Sequence, residues 1–99
     1  MSVYVIANYT VTNPEKYAEY PMAAMPTVVQ YGGKMLVGTD EVHVLGGNPS
    51  PTFVVIEFES VEAVQRWYNS PEYTKVKHLR EENSEGWGVI APQFEMPQS

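Results

Sequence analysis

Ninety-nine residues, with twelve acidic and six basic side chains and no cysteine, give a net charge of −6. That length fits one compact domain, and the charge repels phosphate backbones, so nucleic-acid binding is not expected. The missing cysteines exclude a disulfide framework, a cysteine metal site and a thiol nucleophile.

Hydrophobic residues reach 43% and aromatic residues 12%, which is rich for a chain expected to bury roughly 60–65% of its unfolded surface. The surplus points to an apolar face kept for a second subunit. The opening MSVYVIANYTV has no basic segment followed by a long apolar core, and no apolar run approaches the roughly 18 residues of a membrane helix. A soluble, cytoplasmic domain without membrane attachment is the expectation.

Val3 to Val11 reads as a strand of β-branched and aromatic residues. Val3, Val5, Ala7 and Tyr9 alternate with Tyr4, Ile6, Asn8 and Thr10, so both faces are mostly apolar, as in a covered central strand. Asn8 is the polar exception. Asn13-Pro14-Glu15 then starts a helix, with Asn13 as N-cap, Pro14 at the first helical position and Glu15 at the positive helix end. Tyr17, Tyr20, Ala24, Val28 and Tyr31 share one stripe. Pro21 and Pro26 interrupt it, predicting a kinked or two-piece helix from Pro14 to about Gln30 that ends at Tyr31-Gly32-Gly33.

Lys34–Gly38 and Glu41–Leu45 are both strand-like, and read either as one long strand bent at a glycine bulge or as a tight hairpin. The bent strand is favoured, because it pairs with the next strand through the breaker-rich 46–51 turn and leaves no orphan segment. Phe53–Glu59 is the clearest strand, with Val54, Ile56 and Phe58 on one face and Phe53, Val55 and Glu57 on the other. Ser60 caps the following helix, whose inward positions are Val61, Val64 and either Trp67 or Tyr68. Ser70-Pro71 restarts a helix with the stripe Tyr73, Val76, Leu79 and Asn83, Arg80 at its edge and His78 facing away. Trp87–Ala91 is the last strand. Residues 1–91 form the single domain, and 92–99 a tail.

Strand, helix, strand, strand, paired helices, strand, joined by right-handed crossovers, is a ferredoxin-like βαββαβ sandwich of the α+β class with an antiparallel sheet. Its helices cover one sheet face. The face carrying Val55 is apolar and has no cover within the chain, so a homodimer formed sheet to sheet is expected.

Asn13-Pro14-Glu15 with Tyr17 and Tyr20, Tyr31-Gly32-Gly33-Lys34, Val55-Ile56-Glu57-Phe58 with Ser60, the block Trp67-Tyr68-Asn69-Ser70-Pro71-Glu72-Tyr73, and Leu79-Arg80 resemble the DUF1330 family, over roughly Val3 to Ala91. The resemblance implies a dimeric α/β barrel of the ferredoxin-like superfamily. The family's own biochemical role is undefined, while its fold relatives include cofactor-independent monooxygenases, lactone isomerases and small dehydratases. The family commonly carries Glu-Gly after the second strand, where this chain reads Leu45-Gly46-Gly47. A function that rests on that glutamate would be absent here or carried out differently.

No phosphate loop, nucleophile elbow, dinucleotide fingerprint or metal pattern is present, so neither cofactor nor metal is expected. Four polar residues are catalytic candidates for proton transfer: Asn8, His43, Glu57 and Arg80. His43 can serve as a base if held in a cleft, although an edge histidine is more often simply hydrogen-bonded. A carboxylate at Glu57, among apolar neighbours, calls for a partner, and Arg80, Lys34 or a contact across the dimer would supply one. Arg80 can clamp an anion bidentately, or pin its own helix. Tyr17, Tyr20, Tyr31, Trp67, Tyr68 and Tyr73 can wall a small-molecule pocket, or pack as core with their hydroxyls at the surface. A cofactor-independent small-molecule enzyme and a non-catalytic dimeric module both fit.

Overall fold

The computed structural model describes residues 1–97; Gln98 and Ser99, the end of the expected tail, lie outside the described residues. In chain order the elements are β1 (Val3–Val11), α1 (Pro14–Tyr17), α2 (Tyr20–Gln30), β2 (Lys34–Thr39), β3 (Thr52–Phe58), α3 (Val61–Tyr68), α4 (Pro71–Glu81) and β4 (Ser84–Pro92). The strands form one antiparallel sheet in the order β2-β3-β1-β4. This is the βαββαβ sandwich.

Register fixes which residues share a face. Val3, Val5 and Ala7 stand opposite Phe58, Ile56 and Val54, and on the other side opposite Pro92, Ile90 and Gly88. Ile56, Phe58, Val28, Val64, Trp67 and Tyr73 form the core between this side of the sheet and the helices. Fully burying side chains of this kind contributes roughly 1.5–3 kcal/mol each. Trp67 also donates its indole N–H to Thr27 Oγ1 at 3.0 Å, which ties α3 to α2 and satisfies the one polar atom of the ring.

The helix boundaries follow local chemistry. Asn13 Oδ1 accepts from the Lys16 amide at 3.2 Å, Ser60 Oγ from Ala63 at 3.1 Å, and Ser70 Oγ from Tyr73 at 3.1 Å. Each such cap is worth about 1 kcal/mol. Pro14 and Pro71 stand at first helical positions, and the expected two-piece helix breaks at Ala18-Glu19, just ahead of Pro21. At the end of α2 the Gly32 amide donates to Val29 O and the Gly33 amide to Val28 O, with Gly32 at φ +84°. That is the paired-bond helix stop which needs a left-handed residue.

Four expectations are corrected. The second strand does not run to Leu45: it ends at Thr39, and neither a long bent strand nor a hairpin forms. Its bulge lies between Met35 and Val37 rather than at Gly38. The reason is on the neighbouring strands. β3 starts only at Thr52, so nothing remains for 41–45 to pair with. Asn8 meanwhile holds the chain just before β3, donating Nδ2 to Ser50 O and Thr52 O at 2.8 Å each and accepting from the Ser50 amide at 3.1 Å. Second, β4 begins at Ser84 and includes Pro92, three residues earlier and one later than expected. Pairing with all nine residues of β1 draws it out. Third, Val61 is exposed while Ala63 is buried in its place, because the α3 face that meets the sheet is set by Val64 and Trp67. Fourth, the tail is not loose from its start, since Gln93 exchanges hydrogen bonds with Ser2 at 3.0 and 3.1 Å.

Candidate functional site

Between the helix side of the sheet and the helices lies a half-open cleft of about 1030 Å³. Small residues make the room. Ala7, Gly38 and Gly88 put little or nothing above the sheet there, and Ala24 does the same from α2. The cleft opens over β4, where Gly88 and Ile90 remain exposed although they face the helices; Ile90 is 42% accessible.

Five polar side chains line or back it as a contiguous array, Tyr17, Tyr20 and Arg80 half-buried and Tyr9 and Tyr73 buried. Tyr9 rises from β1 and shares a 2.6 Å hydrogen bond with Tyr17 of α1. The Tyr17 and Tyr20 rings lie 5.5 Å apart, and Tyr20 shares a second 2.6 Å bond with Tyr73 of α4. Arg80 Nε donates to the Tyr73 hydroxyl at 3.5 Å. Trp67 closes the wall, its ring centroid 4.3 Å from that of Tyr73.

The backbone explains why these groups meet. Asn83 O accepts from the Thr12 amide at 2.8 Å, and Asn83 Nδ2 donates to Leu79 O at 2.8 Å. The end of α4 is thereby fastened to the chain entering α1, which brings Arg80 and Tyr17 to the same end of the cleft.

Electrostatics give the array a definite character. Burial pushes the Tyr9 phenol well above its ordinary value, helped by the bond to Tyr17. Burial also raises Tyr17 and Tyr20, with Tyr73 reinforcing the effect on Tyr20. These phenols stay protonated near neutrality, so they donate hydrogen bonds and do not abstract protons. Burial opposes the Arg80 charge, but Tyr73 and Tyr20 more than offset it, and the guanidinium is held above its usual value. It is a permanent cation. A cleft with these walls can bind a flat apolar body and stabilise negative charge on an oxygen.

The structure does not bring the four expected polar residues together. Only Arg80 lines the cleft. Asn8 faces the opposite side of the sheet, 4% accessible, with both amide atoms used by the loop before β3. Glu57 is on that same far side, accepting from Ser2 Oγ at 2.6 Å, with Tyr4 and Lys34 as its register neighbours. A Glu57–Arg80 pair is ruled out, because the sheet stands between them. His43 sits exposed in the loop after β2.

Of the expected pocket walls, Tyr17, Tyr20, Trp67, Tyr68 and Tyr73 line the cleft. Tyr31 does not: its hydroxyl donates to Glu72 Oε1 at 2.8 Å, stapling α2 to α4 and holding the Glu72 carboxyl below its usual range. Tyr9 was missed. Its alternation with Val5 and Ala7 carried the signal, since a tyrosine on an inward strand position needs a partner for its hydroxyl. Asp40 stands at the rim, at the end of β2. Among the described residues no cluster of three or more His, Asp or Glu side chains could hold a metal, and no helix is long and apolar enough to cross a membrane.

The family model for a domain of unknown function, DUF1330, matches residues 2–94. No curated protein matches the chain significantly. Among solved structures, the chain is similar to RPA0582, a protein of unknown function from Rhodopseudomonas palustris, at 15% identity and a TM-score of 0.75, over 96% of this chain and 84% of that one. It is also similar to SnoaB, a cofactor-independent oxygenase from Streptomyces nogalater, at 13% identity and a TM-score of 0.67, over 99% and 95% of the two chains. A de novo designed protein, Foldit4, matches at 18% identity and a TM-score of 0.62, over 95% and 100%. At these identities the likeness is one of fold. A shared fold does not carry an activity over by itself.

Proposed function

The chain belongs to the DUF1330 family, and we propose that it holds a small molecule with a flat apolar body in the cleft between sheet and helices. One observation carries this reading: a half-open cleft of about 1030 Å³ walled by aromatic rings, with four phenols and a guanidinium in a contiguous array. Ligand sites are commonly clefts of roughly 300–1000 Å³ with apolar walls and a few convergent polar groups.

Cofactor-independent catalysis is the second reading, isomerase-like or, as in SnoaB, oxygenase-like. The array itself favours it. Its donors would stabilise the enolate form of an acidic substrate, while the proton leaves to solvent or to the substrate's own groups. In a non-catalytic module the same donors would only orient a ligand.

Binding is tested with a neutral probe, methyl 2-naphthoate. In a Trp87→Phe background Trp67 is the sole tryptophan, and its emission is expected to change saturably as the probe enters. Unchanged emission up to the probe's solubility limit would mean that the cleft takes no neutral aromatic ligand of this size.

A homodimer through the outer sheet face belongs to the same proposal, as does the cytoplasmic setting expected from the sequence. Its support is the apolar outward row, in which Trp87 is 52% and Val89 49% accessible, beside Ile6, Val55 and Val37. Light scattering at micromolar concentration should give twice the 11.1 kDa chain mass, and Trp87→Glu should return it to a single chain. A wild-type monomer under these conditions would refute the pairing.

A further inference from the structure

Arg80 is the one cationic side chain on the cleft, and among the described residues no carboxylate is hydrogen-bonded to it. Among the described residues its guanidinium makes a single hydrogen bond, the 3.5 Å contact from Nε to Tyr73. Tyr73 lies seven residues earlier on the same helix, so this contact pins α4 to no other element. The groups that act most on its charge are phenols, Tyr73, Tyr20 and Tyr68, with no carboxylate among them. The one acid on the cleft, Asp40, follows β2, the far edge of the sheet from β4. Those edges are about 14 Å apart, and Asp40 is not among the groups that act most on the Arg80 charge.

The phenols favour the charge but are themselves neutral, so a half-buried cation here still gains where an anion meets it. Arginine suits planar oxyanions, because its fork of donors matches two oxygens at once. The neighbouring phenols add neutral donors without competing charge. Long-range attraction does not explain an anion here, since the chain carries −6 overall; the recognition is local.

We propose that the ligand of this cleft is a monoanion, with a carboxylate or enolate oxygen group seated on Arg80 beside Tyr73 and a flat aromatic or fused-ring body lying along Tyr17 and Tyr20, over the buried Trp67. The inference rests on the binding role assigned to the cleft and adds the charge of its occupant.

The test pairs 2-naphthoate with methyl 2-naphthoate, which share a ring system and differ in charge. Affinities come from Trp67 emission in the Trp87→Phe background and from calorimetry. In the otherwise unaltered protein the acid should bind at least tenfold more tightly than the ester. In Arg80→Met that preference should vanish, through a loss for the acid and little change for the ester. Equal affinities before any change at Arg80 overturn the anion assignment and leave the cleft as a binding site. Binding of neither probe overturns both. Should Arg80→Met fail to fold, the acid–ester comparison decides alone.

Discussion

Gly86→Ala is expected to lower the thermal midpoint by about 15 °C, corresponding to roughly 3 kcal/mol for a chain of this size. Gly86 pairs with Tyr9 across the β1–β4 ladder. A Cβ there would overlap the Asn8 carbonyl oxygen and come within 2.5 Å of both Cα and Cβ of Tyr9. These are strand atoms and the root of a side chain, with no flexible end that can swing aside. The strands must therefore part, and β4 is an edge strand with no second neighbour to hold it. Domains are stable by only about 5–15 kcal/mol, so the loss is a large share. Thermal denaturation followed by circular dichroism measures it. A shift below about 4 °C, roughly 1 kcal/mol, would mean that the ladder yields far more easily than its geometry implies.

Two residues further on, the same substitution logic gives the opposite result. Gly88 faces the same side of the sheet, opposite Ala7, yet a Cβ there would meet its nearest neighbours, Ile6 O and Ala7 Cβ, at 3.8 and 3.9 Å. That is ordinary contact. Gly88→Phe should leave the thermal midpoint unchanged or raise it, because aromatic residues suit strands better than glycine by up to about 1 kcal/mol. Its ring would occupy the cleft where the aromatic probe is proposed to lie. The affinity for methyl 2-naphthoate should then fall at least tenfold, with the far-ultraviolet spectrum intact. Undiminished affinity in a folded Gly88→Phe protein would place the probe elsewhere. Together the two glycines separate the strand's structural requirement from the space it leaves open.

Much of the fold was legible because its signals are local. Asn13-Pro14 and Ser70-Pro71 each combine a side chain that accepts from the first turn with a residue that needs no amide hydrogen there, and both mark true helix starts. Alternation in Phe53–Phe58 separated the core-facing Val54, Ile56 and Phe58 from the outward Val55 and Glu57. That alternation already argued against pairing Glu57 with Arg80, because the helices pack on the other face.

The site was less legible, since its bonds join distant positions. Tyr20 meets Tyr73 across 53 residues. Tyrosine at a helical stripe position reads the same whether its hydroxyl reaches solvent, as expected of core packing, or bonds another phenol in a cleft. Tyr31 shared the stripe of Tyr17 and Tyr20, yet it sits at the end of α2, where Glu72 captures it. The end of β2 was hidden for a similar reason. Residues 41–45 have strand-forming side chains, but a strand also needs a neighbour, and the Asn8 side chain takes hold of the chain where that neighbour would have begun.

The same three bonds give Asn8 a part in how the chain tolerates change in length. They fix Ser50 and Thr52 to the central strand directly, so β3 takes its register from β1 and not from the loop that precedes it. Residues 40–48 are almost all exposed, and no strand pairs with them. The span between Thr39 and Ser50 is therefore decoupled from the sheet it connects. Closing a loop twice as long costs only about 0.6 kcal/mol more. Beyond the cleft-rim residue Asp40, here is where relatives can differ by insertion or deletion, and where a tag or a second domain can be grafted, while the strands under the cleft keep their register.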